Sequence, residues 1–141
     1  MEIPAFSMFS AVSELVVTAA VLHVIVRHLK GRPFNWKLLG VVLTFETCIN
    51  VIYMIKRASA ADVDSGLAGP LKILFAVHGI LSLVMLVALI LVYLLATFDQ
   101  KAGRSTWFQQ HHTATWGLLF FWLLAVGSGE YAFVWRYFIT A

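Results

Sequence analysis

Apolar residues run along this chain in four long blocks, roughly Phe6–His28, Leu38–Ile55, Ile73–Phe98 and His112–Phe138, separated by shorter polar segments. About 20 apolar residues cross the hydrocarbon core of a bilayer as a helix, so the pattern predicts four membrane-spanning helices. Connections this short favour antiparallel neighbours. The expected fold is therefore all-α, an integral membrane four-helix up-and-down bundle forming a single transmembrane domain over residues 1–141.

The segments between the blocks carry turn chemistry. Pro33, within Gly31-Arg32-Pro33-Phe34-Asn35, breaks the helix, and Asn35 is placed to cap the second one. Ala58–Pro70 is the longest connection and the expected flexible element, with room for a short surface helix. Asp99–Gln110 is polar until Trp107-Phe108, a pair that reads as an interfacial aromatic anchor ahead of the last helix. Small residues, Gly79 and Ser82 in the third block and Ala125, Gly127, Ser128 and Gly129 in the fourth, are expected to let helices approach closely.

Polar residues inside the blocks are spaced as helical stripes. Ser7, Ser10, Glu14 and Thr18 recur at offsets of three and four, as do Glu46, Asn50 and Tyr53 on the second helix and His78 and Ser82 on the third. At about 1.5 Å rise per residue, Glu14, Glu46, Asn50, His78 and Glu130 all lie about 8–15 Å in from the same face. Polarity facing lipid is disfavoured. The stripes should accordingly turn inward and meet in one layer of the outer half of the bilayer.

Composition fits this picture and narrows it. Hydrophobic residues make up 61% of the 141 residues and charged residues only 12%, and little sequence remains outside the blocks for a nucleotide-binding loop or a nucleic-acid module. The net charge of +3 comes from basic residues near block ends, so no nucleic-acid partner is expected. Cys48 is the single cysteine and leaves no internal disulfide to form. Met1-Glu2-Ile3-Pro4 lacks a basic leader, and the first apolar block exceeds a signal-peptide core, so it reads as an uncleaved helix. Arg27, Lys30, Arg32, Lys37, Lys101 and Arg104 fall on one side, against Lys56, Arg57, Lys72 and Arg136 on the other. The six-to-four bias puts the first and third connections inside and both termini outside.

The polar layer admits several chemistries. Carboxylates with an imidazole and an amide, Glu14, Glu46, Asn50, His78 and Glu130, can ligate a divalent transition metal, or relay protons as titratable groups in a low dielectric. Equally, they can serve only as a hydrogen-bonded polar core that holds helices together. No Glu-x-x-His pair occurs on one helix, so a carboxylate-bridged dimetal site is not indicated. Glu130 follows Gly127-Ser128-Gly129 and so has room beside it for a ligand. His23 lies about 180° round the first helix from Glu14. With His28, His111 and His112 it gathers at the inside ends of the first and last helices, where two imidazoles can ligate haem iron. The aromatic series Trp116, Phe120, Phe121, Trp122, Tyr131, Phe133 and Trp135 can flank a quinone or tetrapyrrole, or face lipid.

Gly69-Pro70 leading into a helix with His78, then His111-His112, Trp116, Trp122 and Gly127-Ser128-Gly129-Glu130-Tyr131, resembles the family of small four-helix bacterial membrane proteins exemplified by CtaM and YozB. That family is linked to maturation of haem-copper terminal oxidases. The resemblance covers about half the chain. Where the family pattern has histidines at the start and end of the second helix, this chain reads Asn35-Trp36-Lys37-Leu38 and Tyr53-Met54-Ile55-Lys56. His78 and His111-His112 therefore carry over as positions only. The resemblance implies a non-catalytic accessory or assembly subunit of a respiratory redox complex in the bacterial cytoplasmic membrane, with other membrane subunits as partners. The alternatives from the residues themselves are a small metal-binding membrane enzyme, a proton- or ion-coupled carrier, and a purely structural subunit.

Overall fold

The computed structural model describes residues 3–59 and 69–139. Its long helices are α1 (Ala5–Leu29), α2 (Trp36–Ser59), α3 (Gly69–Lys101) and α5 (His112–Val134), with a short α4 (Trp107–Gln110) before the last and a π-helical turn (Trp135–Ile139) after it. Among the described residues four stretches are long and apolar enough to span a membrane: Ala5–Leu29, Trp36–Lys56, Gly69–Lys101 and His112–Ile139. The chain is a multi-pass, four-helix membrane-spanning bundle.

Local chemistry sets the helix ends. Pro4 opens α1, its carbonyl accepting from the Ser7 and Met8 amides, a position where the missing proline N–H costs nothing. Gly31, at φ +87°, ends α1 in the left-handed region that glycine tolerates. The Asn35 side chain then caps α2, accepting from the Leu38 amide at 3.1 Å. Pro70 sits in the first turn of α3, and Gly103, at φ +70°, follows its end. Of the Ala58–Pro70 connection, residues 60–68 lie outside the described residues, and the short surface helix expected there lies with them.

Each long helix packs beside two others: α1 against α2 and α5, α3 against α2 and α5. The start of α1 and the π-helical turn thus lie at one end of the bundle, the terminal end, where the Tyr137 hydroxyl donates to Ser7 Oγ at 3.3 Å. The α1–α2 and α3–α5 links make the opposite, connection end. Bulky side chains on the outside, such as Val16, Val41, Ile80 and Phe120, are 62–69% exposed. They form the perimeter that lipid covers.

The hydrophobic core is weighted toward the connection end. Val21, Ile25, Leu39, Leu89, Ala96, Phe108 and Leu119 are buried there almost completely. Phe108 does not act as an interfacial anchor: the chain reverses through α4 and carries it under the bundle, fully buried, with its ring 5.6 Å from Phe34. The Thr115 hydroxyl, within reach of the Phe108 and His111 carbonyls at 3.0 and 2.9 Å, ties α5 to that reversal. Gly79 and Gly127 also differ from expectation. A methyl group on either would meet open space, because residues 125 and 129 face α3 and residue 127, between them, faces outward.

Candidate functional site

At the terminal end the four helices enclose a cavity of about 120 Å³. The stripe Ser7, Ser10, Glu14 comes from α1 and Glu46, Asn50, Tyr53 from α2. His78 and Ser82 come from α3, and Gly129 and Glu130 from α5. All five residues expected in the layer, Glu14, Glu46, Asn50, His78 and Glu130, therefore line one chamber, and His23 stands apart from it. Met85, Leu86 and Trp122 form its floor. The Trp122 indole N–H donates to Thr18 Oγ1 at 3.2 Å, so the last member of the α1 stripe closes the chamber rather than lining it.

His78 is held firmly. Its Nδ1 lies 3.0 Å from the Ala125 carbonyl and 3.0 Å from Ser128 Oγ. A carbonyl can only accept, so Nδ1 carries the proton. Ser128 spends its own hydroxyl proton on the Ala125 carbonyl at 2.7 Å, which leaves its oxygen free to accept from the ring. The imidazole also lies directly over Gly129, in the space a Cβ would take. The Gly-Ser-Gly-Glu run is thus a seat for His78 as well as an approach to Glu130.

The carboxyl groups differ in their support. Glu46, nine-tenths buried, accepts from the Asn50 amide at 2.8 Å, one helical turn on. Glu130 keeps a buried Oε1 with no hydrogen-bond partner among the described residues, and a buried acceptor left unpaired costs about 1–3 kcal/mol. Glu14 lies near enough to Glu46 and Glu130 to interact with both electrostatically. Three carboxylates around one chamber repel each other, and a proton or a cation relieves that repulsion.

Arg136 and Tyr137 complete the wall. Arg136 lies seven residues past Gly129 and Tyr137 seven past Glu130, each about two helical turns on and so on the same helix face. The Arg136 guanidinium lies 5.9 Å from the centre of the Phe75 ring and 5.4 Å from that of Tyr137. Arg136 is not among the residues expected in the layer, although its seven-residue spacing from Gly129 is the signal that finds it.

The donors do not close on a point. Among the described residues no three His, Cys, Asp or Glu side chains are placed to hold a metal ion. The histidines considered for haem lie apart from this chamber. His111 and His112 are exposed, stacked on Trp107 and edge-on to Trp116 respectively, and neither lines the two cavities described. His23 lines a separate cavity at the connection end. His28 is buried with both ring nitrogens engaged, Nδ1 with the Arg32 carbonyl at 2.8 Å and Nε2 with Thr106 Oγ1 at 2.6 Å. Of the aromatic series, Trp116, Phe120, Phe121 and Tyr131 face outward, whereas Trp122 and Phe133 line the chamber.

Compared with known protein families, with curated proteins and with solved structures, the chain matches none.

Proposed function

We propose that the protein is a small non-catalytic accessory or assembly subunit of a bacterial membrane redox complex, and that its contribution is the carboxyl-lined chamber. There a proton or small cation is held within the bilayer and exchanged with the face on which both termini lie. The observation that carries this reading is the convergence of Glu14, Glu46 and Glu130 with His78 on one cavity, with Glu130 Oε1 unpartnered. Ionisable groups at this depth are expensive and mark ion or proton paths. The resemblance to the CtaM and YozB family supports the respiratory setting, and the basic-residue bias supports a cytoplasmic-membrane orientation with both termini outside.

Extraction from native membranes in a mild detergent, followed by identification of co-purifying chains, tests the setting. Heavier redox subunits are expected to accompany the protein, and a monodisperse solitary chain would count against it. Infrared difference spectra of the reconstituted protein through a pH step test the chamber. Carboxyl bands should change and lose intensity in Glu14→Gln and Glu130→Gln. Bands untouched by either change would reduce the layer to structural glue.

A further inference from the structure

A second cavity, of about 380 Å³, opens at the connection end between the last turns of α1 and the first turn of α2. His23, Arg27 and Lys37 line it together with Asn35, Trp36 and Gln100, and no carboxylate is among its lining residues. The acidic residue nearest in sequence, Asp99, is paired with Arg104 at 3.0 Å. The Lys37 ammonium lies 5.7 Å from the centre of the Trp36 ring, at the cavity's edge. Cationic groups thus converge on a hollow with no anion supplied by its walls.

Below the cavity the helix surfaces turn apolar in register with it. Val12, Val16, Ala19, His23 and Arg27 recur at offsets of three and four on α1 and are all exposed. Lys37, Val41 and Phe45 do the same on α2. Each helix therefore presents a cation near the membrane surface and an apolar track running from it into the bilayer. A soluble anion would use the cation and ignore the track. An amphiphile uses both.

We propose that this cavity binds the phosphate of an anionic phospholipid in the adjacent leaflet. Arg27 and Lys37 hold the charge, His23 supplies a further ring nitrogen, and the acyl chains lie along the Val16–Ala19 and Val41–Phe45 tracks. Basic hollows between membrane helices recognise lipid headgroups in this way. The site is independent of the carboxyl chamber, which lies at the other end of the bundle.

The test is native mass spectrometry of the full-length protein after exchange into nanodiscs of phosphatidylglycerol, phosphatidylcholine or their mixture. Retention of one phosphatidylglycerol, preferred at least tenfold over phosphatidylcholine, is expected. The double variant Arg27→Gln/Lys37→Gln should lose that preference. Lys30→Gln/Arg32→Gln removes the same charge from the same end without touching the cavity lining, and should keep it. Should the first pair fail to insert, Val16→Trp, which blocks the apolar track and leaves every cation in place, should lower retention by itself. Equal retention of the two lipids, equal loss in both double variants, or displacement of the lipid by millimolar inorganic phosphate would overturn the proposal, the last by identifying a free-anion site.

Discussion

The two ends of this bundle solve opposite problems with the same four helices. At the connection end Phe108, Leu39, Ile25 and Leu119 fill the interior between the helices, the cavity there opening at the surface between α1 and α2, and the polar groups His28 and Thr115 are saturated by specific partners. At the terminal end the same helices part around a chamber whose wall includes an acceptor with no partner. The difference teaches where each property resides. Close packing at one end fixes the helix arrangement, which lets the other end tolerate costly polar groups facing open space.

The sharpest way to break this comparison is to damage the packed end. Phe108→Ala removes a fully buried ring at the chain reversal, and large-to-small changes of this kind cost about 3–5 kcal/mol. Equilibrium unfolding in mixed micelles should show the loss as a lowered midpoint, with partial exposure of the Arg32–Phe34 turn to protease. A change below about 1 kcal/mol, the range of ordinary substitutions, would mean that the connection end does not hold the fold.

Next in size is a paired test at the boundary between α3 and α5. Gly129→Ala places a methyl group where the His78 ring lies, and overpacking of that sort costs about 1–3 kcal/mol. Gly127→Ala meets open space and should be neutral or slightly stabilising, since alanine is the better helix former. The contrast is read as a difference in unfolding midpoint. The His78 imidazole resonances should shift only in the first variant.

The block lengths made the four helices legible, and the offsets of three and four brought Glu14, Glu46, Asn50, His78 and Glu130 to one chamber. What the pattern did not single out were residues read only for their charge or composition. Arg136 lies seven residues past Gly129, on the same helix face, and lines the chamber, although its charge marks it as a residue flanking the membrane. Phe108 had the composition of an interfacial residue, yet a reversal of the chain buries it. Sequence spacing also cannot distinguish donors that share a cavity from donors that meet at one point, so it does not decide between a metal centre, a proton relay and a polar core.

Trp122 sits on the boundary between the two ends and should give a smaller effect. Trp122→Phe keeps the ring's floor position and removes the hydrogen bond to Thr18 Oγ1. Interhelical hydrogen bonds in membranes average about 0.6 kcal/mol, so the midpoint should fall slightly, and Thr18→Val should add little on top of it. A double-mutant cycle measures that coupling directly.

Glu130→Gln should have the smallest effect on stability and the clearest one on the chamber. The amide is nearly isosteric and stays neutral, so no charge is buried where one side-chain oxygen has no partner among the described residues. Repulsion from Glu14, which Glu130 shares, also disappears. Stability should therefore hold within about 0.5 kcal/mol, or rise, as substitutions away from packed features do. Functional sites are commonly stabilised by the change that disables them. Binding of a probe cation, followed by the infrared bands of Glu14 and Glu46, should weaken in the same variant. A large loss of stability with unchanged cation response would reverse the assignment, making Glu130 a structural brace and moving the burden of the chamber to Glu14 and Glu46.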